Sequence, residues 1–260
     1  MSGAGALAGK TAWITGGGSG IGLAGAIELA KAGVRVIISG RDSVKLETAV
    51  TTAESKGAPR DAISALPLDV ANRDAVPLVA AEVLRRFGNQ LDILVNSAGV
   101  NFPKRHWNEI DAKLFDEVFS INLNGATYCT LAVLPAMRAR KTGTIINISS
   151  FAGWHFSYLT GPAYTASKAA MMALTHSFNI EECVNGLRAT AICPGEVATP
   201  ILEKRPIKPS EAEKARMLQE EDLGQTIRFV AELHPRACVN ELIISPTWNR
   251  LYVGGDDLKR

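Results

Sequence analysis

The 260-residue sequence predicts an α/β fold, in which a doubly wound, seven-stranded parallel sheet is flanked by helices. Short runs rich in Val, Ile and Leu alternate with longer helical stretches, a pattern typical of right-handed β-α-β units. The short runs are continuously apolar, as expected for strands buried on both faces. Because no linker-like composition divides the chain, we expect a single domain over residues 1–260.

Seven apolar runs account for the strands. The first, TAWIT, ends at a run of glycines, whereas the third contains Pro67, which weakens its end because proline cannot donate to a sheet ladder. The predicted strands are residues 11–15, 34–39, 62–70, 91–96, 143–149, 187–193 and 241–245.

Five longer segments between these runs are predicted to be helices. Asn72 is suited to cap the third helix and Gly88 to stop it. A short helix is also expected within a mobile lid over residues 196–218, because Pro206 and Pro209 break the chain there. The predicted helices are residues 20–32, 43–56, 72–88, 111–139 and 162–184.

Composition and charge exclude several classes of protein. The net charge of +2 is too small to indicate binding to nucleic acid or to an anionic membrane surface, and no apolar run reaches 18 residues. The N-terminus lacks the basic and apolar regions of a secretory signal, so we expect a cytoplasmic protein. Neither Cys nor His shows metal-ligand spacing, and we expect reduced core thiols and no metal site. The cysteines are Cys129, Cys183, Cys193 and Cys238.

Glycines follow the first strand, in TGGGSGIG at residues 15–22. In a doubly wound sheet, ligands bind beyond the carboxyl ends of the strands. Glycines there let the backbone turn and approach a pyrophosphate, which meets the N-terminus of the next helix. The pattern G-x-G-x-x-G fits at Gly20, Gly22 and Gly25. The alternative is a helix entry that merely needs small residues, but the position directly after the first strand favours a dinucleotide site.

The end of the second strand gives conflicting signals about which dinucleotide is bound. A carboxylate here would bind a ribose 2′-hydroxyl, while an arginine favours a 2′-phosphate. Arg41 follows Gly40 at the first loop position, and Asp42 lies about 20 residues past the glycines. Asp42 can also be read as a helix cap, with Ser43 as a rival cap. We favour Arg41 as the phosphate ligand, and therefore NADP(H) over NAD(H).

The stretch AYTASKAA, residues 163–170, places a tyrosine and a lysine on one helix face. Tyr164 and Lys168 are four positions apart, so both can act on one ligand. Polar or glycine-rich residues also follow the other strands and are expected to line the same crevice. They are Asp69 and Val70, NSAG at 96–99, Ser149 and Ser150, and CPGEVATP at 193–200.

Taken in order, these motifs resemble the single-domain short-chain dehydrogenase/reductases, which have a Rossmann fold. The resemblance covers nearly the whole chain: T-G-x-x-x-G-x-G at 15–22, NSAG, Asn122 in INLNG, Ser150 in ISSFAG, Y-x-x-x-K at 164–168 and the PG at 194–195. Two positions depart from the family pattern. Ser97 replaces an asparagine, and Ser150 lies 14 residues before Tyr164, one more than the commonest spacing.

The resemblance implies a catalytic tetrad. By the family pattern Tyr164 is the acid/base, Lys168 lowers the pKa of the phenol and binds the nicotinamide ribose, and Ser150 donates a hydrogen bond to the substrate oxygen. Asn122 would hold a water linking Lys168 to solvent. Ser149 remains a rival to Ser150, and Asn122 can also be read as capping or bending a long helix.

The resemblance also implies the cofactor contacts. Asp69 and Val70 would contact adenine and Thr199 the carboxamide. The full predicted set is Gly16, Ser19, Gly20, Ile21, Gly22, Arg41, Asp69, Val70, Asn96, Ala98, Gly99, Tyr164, Lys168, Pro194, Gly195, Val197 and Thr199.

The substrate is expected to meet three variable segments, residues 101–108, 151–162 and about 196–216. Their aromatic residues predict an apolar wall made of Phe102, Trp154, His155 and Phe156. Their basic residues are suited to attract an anionic substrate, but we favour solvated loop charges as the explanation. These basic residues are Lys104, Arg105, Lys204, Arg205 and Lys208.

The sequence therefore predicts an NADP(H)-preferring oxidoreductase that interconverts a secondary alcohol, or a hydroxy acid, and its ketone. A 3-ketoacyl-thioester reductase and a non-catalytic cofactor-sensing regulator are the alternatives. The first is disfavoured because the V-D-G-G ending common in ketoacyl reductases is missing. The second is disfavoured because all four tetrad residues are present. We also expect a homodimer or homotetramer that packs through the helices near 111–139 and 162–184.

Overall fold

Seven parallel strands form one sheet in the computed structural model, which describes residues 5–254. They are β1 (Thr11–Thr15), β2 (Arg35–Ser39), β3 (Ile63–Ala65), β4 (Ile93–Asn96), β5 (Gly143–Ile148), β6 (Leu187–Pro194) and β7 (Glu241–Ile244). Their order across the sheet is β3-β2-β1-β4-β5-β6-β7. The direction of winding reverses between β1 and β4, so the crevice for a ligand opens at their carboxyl ends. The predicted fold class is confirmed.

Helices cover both faces of the sheet. They are α1 (Gly20–Lys31), α2 (Ser43–Ser55), α3 (Ala75–Arg86), α4 (Ala112–Phe119), α5 (Gly125–Arg140), α6 (Phe151–Trp154), α7 (Pro162–Glu182), α8 (Glu211–Lys214), α9 (Glu220–Glu232) and α10 (Arg250–Val253). Shorter 3-10 turns cover Tyr158–Thr160, Cys183–Asn185 and Pro200–Lys204. Successive strand residues point to opposite faces. Accordingly Ile14 packs in the core beneath α1 and α9, and Trp13 in the core beneath α3 and α5.

The third strand is shorter than the sequence predicts, and its assignment over 62–70 is wrong beyond Ala65. The missing N–H of Pro67 is not the cause, because it lies between the donors of Leu66 and Leu68 and would point away from β2, toward the open edge of the sheet. The chain stays alongside β2, because the backbone N–H groups of Leu66 and Leu68 still donate to Ile38 and Gly40 at 2.9 Å each. The loop that follows, with Asp69 and Val70, therefore still begins at the carboxyl end of β2.

Helix α9 lies in a part of the chain for which the sequence analysis assigned no element. It buries Leu223, Ile227 and Val230, which recur at helical spacing. The helix packs closely on α1, because a Cβ added to Gly25 would lie 2.7 Å from Cδ1 of Ile227. The third glycine of G-x-G-x-x-G thus serves helix packing.

The predicted helix over 111–139 is interrupted. A π-helical segment, Ser120–Asn124, separates α4 from α5. Such single-turn π segments are often found at functional sites. This segment places Asn122, which is fully buried, below the loop that follows β4.

The prediction of core thiols is half correct. Cys129 and Cys193 are buried, but Cys183 and Cys238 are exposed. Burial raises the pKa of the Cys129 thiol to about 12, so this thiol stays protonated. Within residues 5–254 no group of three His, Cys, Asp or Glu residues is placed to hold a metal ion. In the same range, every helix is too short or too polar to cross a bilayer.

Candidate active site

The loop after β1 brings two backbone segments into close contact. Gly16 has a φ of +68°, and a Cβ there would lie 2.7 Å from the backbone nitrogen of Ala98. A Cβ on Gly22 would lie 2.4 Å from the carbonyl oxygen of Gly16. Glycine is therefore required at both positions. The loop leads into α1, whose N-cap residue, Ser19, makes no side-chain capping bond. The N–H groups of the first turn are left available for an anion.

The NSAG segment after β4 is fixed to this loop and to the core. The hydroxyl of Thr15 accepts hydrogen bonds from the backbone of Ser97 and Ala98, at 3.3 and 3.4 Å. The amide of Asn96 points into the core, where it donates to Asn147 Oδ1 at 2.9 Å. The Asn96 side chain therefore does not face the crevice. Ser97, the residue that departs from the family pattern, lies on the cavity wall.

The loop after β2 offers positive charge. Arg41 is exposed and lines the cavity together with Lys45. Asp42 does not point toward the cavity but caps α2, because its Oδ1 accepts from the backbone N–H of Lys45 at 3.1 Å. The reading of Asp42 as a helix cap is confirmed, and the carboxylate is already used.

The predicted adenine contacts lie beside the cavity rather than on its wall. Asp69 accepts from the backbone N–H of Ala71 at 3.0 Å and thereby closes the turn after β3. Val70 is buried against the start of α5, since a Cβ on Gly125 would lie 2.6 Å from its Cγ2.

One cavity of about 470 Å³ joins the strand ends. Twelve of the predicted cofactor residues line it: Gly16, Ser19, Gly20, Ile21, Arg41, Gly99, Tyr164, Lys168, Pro194, Gly195, Val197 and Thr199. Five do not reach its wall: Gly22, Asp69, Val70, Asn96 and Ala98. The glycine loop and the helix that carries Tyr164 thus open onto a single space.

Helix α7 and the end of β5 bring Ser150 and Tyr164 together. Both side chains line the cavity, and the Ser150 hydroxyl is near enough to the phenol to lower the pKa of Tyr164. The Ser150 oxygen also accepts from the N–H of Ala152 at 3.1 Å, which fixes its position. Its rival, Ser149, is buried and donates to the carbonyl of Lys168 at 2.8 Å. Geometry therefore favours Ser150 as the hydroxyl that shares a ligand with Tyr164.

Lys168 lies one helical turn after Tyr164 and is 4% exposed. Its ammonium donates to the carbonyl of Ile148 at 2.7 Å and lies 5.6 Å from the centre of the phenol ring. Burial lowers the pKa of Lys168 to about 8. A Cβ on Gly99 would come within 3.5 Å of this ammonium, so the NSAG segment passes directly over it.

Burial raises the pKa of Tyr164, and three groups act against that rise. The first is the nearby hydroxyl of Ser150. The others are the positive charges of Arg205 and Arg105, which the sequence analysis did not connect with the phenol. The positive charges of these two arginines thus favour the phenolate form of Tyr164.

The Asn122 side chain connects the NSAG loop to α7. Its Oδ1 accepts from the backbone N–H of Val100 at 2.7 Å, and its Nδ2 donates to the Val100 carbonyl at 3.0 Å. The same Nδ2 donates to the hydroxyl of Ser167 at 3.2 Å, next to Lys168. These contacts make Asn122 a positioning residue. The water assigned to it by the family pattern stays a prediction.

The predicted aromatic wall differs from the structure, because Phe102, Trp154, His155 and Phe156 are all absent from the cavity lining. The longer loop after Ser150 folds into α6, which turns the Phe151 ring inward. Trp154 and His155 pack against that ring, with their ring centroids 5.3 and 5.5 Å from the centroid of Phe151. The apolar lining of this part of the cavity consists of Phe151, Leu159, Ile201, Leu202 and Leu251.

Two of the five basic loop residues are buried. The interpretation of these residues as solvated charges is therefore wrong for Arg105 and Arg205. Arg105 is 5% exposed, and the Arg205 side chain is 12% exposed. Both line the cavity. The reason is that both guanidiniums bind other parts of the fold. Arg105 donates to the carbonyl of Lys204, and Arg205 donates to the carboxylate of Glu196. Lys104 and Lys208 are exposed, as expected.

A buried carboxylate that the sequence analysis missed organises this side of the cavity. Glu196 follows the Pro194–Gly195 turn and pairs with Arg205 at 2.7 Å. The same carboxylate pairs with Arg250, whose Nη2 donates to it at 2.7 Å. The three side chains tie the segment after β6 to α10.

Comparison with known proteins agrees with this geometry. The model of the short chain dehydrogenase family matches residues 10–209. The D-beta-hydroxybutyrate dehydrogenase of Rhizobium meliloti is 33% identical over 248 residues, which cover 95% of this chain and 92% of the relative.

Solved structures with the same fold contain NADP or a derivative of it. The alcohol dehydrogenase of the archaeon Thermococcus sibiricus, complexed with 5-hydroxy-NADP, superposes with a TM-score of 0.80 at 27% identity, covering 93% of this chain and 98% of that one. A serine dehydrogenase in its closed form with NADP+ superposes with a TM-score of 0.80 at 28% identity, covering 91% of this chain and 94% of that one. The chain belongs to the short-chain dehydrogenase family and is an oxidoreductase of that family.

Proposed function

We propose that the protein is an NADP(H)-dependent oxidoreductase that interconverts a secondary alcohol and its ketone. The observation that carries the proposal is the placement of the Ser150 hydroxyl near Tyr164, on the same cavity onto which the Gly16–Gly22 loop opens. The close backbone approach at Gly16 and the uncapped start of α1 suit the pyrophosphate of a dinucleotide. When bound, the nicotinamide supplies or accepts the hydride.

Tyr164 is proposed as the proton donor and acceptor. In the direction of reduction, the phenol gives its proton to the carbonyl oxygen while the carbonyl carbon gains a hydride, so that a C–H and an O–H bond form. Ser150 holds the same oxygen through its hydroxyl. In the direction of oxidation, the phenolate takes the hydroxyl proton. A tyrosine has an ordinary pKa of about 10, so the base needs neighbouring positive charge.

Lys168 and the two cavity arginines supply that charge. Lys168 is held by the carbonyl of Ile148, and its pKa of about 8 keeps it largely protonated at neutral pH. Arg205 and Arg105 also favour the phenolate, because their positive charges act to lower the pKa of Tyr164. Asn122 fixes the loop that passes over Lys168 through its two bonds to Val100.

NADP(H) is the proposed cofactor. Arg41 and Lys45 line the cavity at the end of β2, where a ribose 2′-phosphate would lie, and Asp42 is committed to capping α2. Charge-assisted hydrogen bonds to a phosphate are stronger than neutral ones, so this pair favours the phosphorylated dinucleotide. The NADP-bound structures of similar chains support the same choice.

We also propose that the chain forms a homo-oligomer through α5 and α7. Large apolar side chains are exposed on both helices: Leu131 at 59%, Leu174 at 42% and Ile180 at 77%. Light scattering during size-exclusion chromatography tests this proposal, and a monomer at micromolar concentration would contradict it.

The test of the proposed reaction is NADPH oxidation with a panel of ketones, aldehydes and oxo acids. The wild-type protein is expected to reduce at least one of them, and Tyr164→Phe to lower kcat by about 10²- to 10⁴-fold, the usual contribution of a general acid. NADPH binding, measured by fluorescence, should change little. Wild-type activity in the variant would contradict the role of Tyr164. NADPH binding without reduction of any carbonyl compound would favour a cofactor-sensing regulator.

A further inference from the structure

We propose that the substrate carries a carboxylate and that Arg105 binds it directly. The inference rests on the proposed function and deepens it, because it names the chemical class of the substrate. The segment that carries Arg105 follows β4, and the guanidinium forms part of the cavity wall that also contains Tyr164.

Arg105 is a buried cation without a carboxylate partner. Its Nε donates to the carbonyl of Phe102 and its Nη2 to that of Lys204, each at 2.7 Å. Its Nη1 makes a longer contact of 3.4 Å with the carbonyl of Leu159. These partners are neutral backbone oxygens. The Glu109 carboxylate acts on Arg105 from beyond ion-pair distance, and no carboxylate among residues 5–254 is in ion-pair contact with it.

The guanidinium retains donors that can face the cavity. Arginine carries five N–H groups in a planar fork. The three carbonyl contacts use one donor on each nitrogen and leave one N–H on Nη1 and one on Nη2. These two groups can form the paired bonds with which arginine holds a carboxylate. Burial lowers the pKa of Arg105 to about 10, so the group is still a cation at neutral pH.

Arg205 provides an internal comparison, because it lies on the same wall but is neutralised. It pairs with Glu196, whose other contacts are with Arg250. Burying a charge without a counter-charge is costly, and unpaired buried charges cluster where a ligand completes them. Of the two arginines, Arg105 is therefore the one suited to accept an external anion.

The position of Arg105 also fits the chemistry of a hydroxy or oxo acid. Arg105 and Tyr164 line the same cavity, and the positive charge of Arg105 acts to lower the pKa of the phenol. A substrate whose carboxylate lies on Arg105 would place a nearby carbonyl or hydroxyl at Tyr164. Phe151 and Leu159, which line the same cavity, would contact its carbon chain.

Pairs of substrates that differ only in the carboxylate test the inference on the wild-type protein alone. We would compare 2-oxo and 3-oxo acids with their methyl esters, and butanoate with butanamide as inhibitors of ketone reduction. The wild-type protein should prefer each acid over its ester and should be inhibited by butanoate but not by butanamide. Equal kcat/KM for acids and esters, with no inhibition by butanoate, would overturn the inference.

Arg105→Met separates binding from a structural role. Removing one partner of a buried charge pair should lower kcat/KM for the acid roughly 30- to 1,000-fold more than kcat/KM for the ester, which loses only the positive charge that Arg105 places near the phenol. Arg105→Lys should recover part of the acid activity. Lys104→Met removes the same charge from the exposed neighbouring residue and should leave both substrates unchanged. Equal losses for acid and ester would show that Arg105 only holds its loops together and would overturn the inference.

Calorimetry keeps the two proposals distinguishable. If no carbonyl compound is reduced, the proposed function fails, and titration of butanoate into the NADPH complex then decides the inference. Butanoate binding that is present in the wild-type protein and absent in Arg105→Met supports the carboxylate site. Failure of butanoate to bind the wild-type complex at millimolar concentration contradicts it.

Discussion

The two halves of the cavity are built by different means. The half next to α1 is formed by backbone: Gly16 and Gly22 permit close contacts, and Thr15 holds the NSAG loop through its N–H groups. The half next to α6 and α10 is formed by side chains, both apolar ones such as Phe151 and the charged cluster in which Glu196 lies between Arg205 and Arg250. The first half suits a ligand shared by many enzymes, whereas the second suits discrimination among substrates.

The largest effect is expected in the half formed by side chains. Glu196→Gln removes the carboxylate that pairs with the buried guanidiniums of Arg205 and Arg250, and it should lower the free energy of unfolding by about 3–5 kcal/mol. Glu203→Gln is the matched control, because Glu203 pairs with Lys208 and Lys214 at the surface and its loss should change the free energy of unfolding far less. Urea unfolding measures both. Equal effects would mean that the Glu196 cluster contributes no more than surface charge.

Lys168 lies where the two halves meet, and its burial should appear in the pH dependence of stability. Its pKa is about 8 when folded and 10.5 in its ordinary state, so between these values the unfolded chain binds more protons. The free energy of unfolding contributed by Lys168 should therefore rise with pH from about 8 to 10.5, by at most about 1.4 kcal/mol per pH unit.

The measurement compares unfolding of the wild-type protein and Lys168→Met across this pH range. The difference between them should shift in favour of the wild-type protein as pH rises. A difference that is constant with pH would show that Lys168 keeps an ordinary pKa in the folded protein.

The half formed by backbone should be sensitive to a single methyl group. In Gly22→Ala the new Cβ would meet the carbonyl oxygen of Gly16 at 2.4 Å, which should destabilise the fold by about 1–3 kcal/mol and weaken NADPH binding. Gly18→Ala is the control in the same loop, because its Cβ would meet nothing closer than 3.7 Å. Unfolding and fluorescence titration check both variants. Equal tolerance of the two substitutions would contradict a backbone-built site.

In the half of the cavity next to α1, Arg41 is the side chain on which the preference for NADPH over NADH should depend. Arg41→Ser removes charge-assisted hydrogen bonds and should weaken NADPH binding by about 10- to 100-fold, with NADH binding changed less than about threefold. Fluorescence titration of both dinucleotides gives the ratio. Tighter binding of NADH than NADPH by the wild-type protein would overturn the assignment.

The same contrast explains what the sequence could predict. Strands such as β5 and β6 are continuously buried, and their apolar runs give nearly correct bounds. Tyr164 and Lys168 share a helix, so their proximity follows from spacing alone. The extent of β3 was overestimated, because the apolar run continues past Ala65 while the regular strand does not, although Leu66 and Leu68 still donate to β2.

The substrate half depends on contacts between distant segments, which spacing does not encode. Glu196 and Arg250 are 54 residues apart and meet only because the segment after β6 folds against α10. Arg105 appeared as one loop cation among five, and nothing local distinguishes it from exposed Lys104. Trp154 was expected to face the cavity, but the turn formed by α6 places it at the surface.

The most direct test of the account is transfer of deuterium from NADPH that carries deuterium at both hydrogen positions of nicotinamide C4. Mass spectrometry of the alcohol product should show deuterium on the carbinol carbon for the wild-type protein. Tyr164→Phe should bind the same dinucleotide but form labelled product at least about 100-fold more slowly. Product without deuterium, or labelled product formed by Tyr164→Phe at the wild-type rate, would contradict the proposed mechanism.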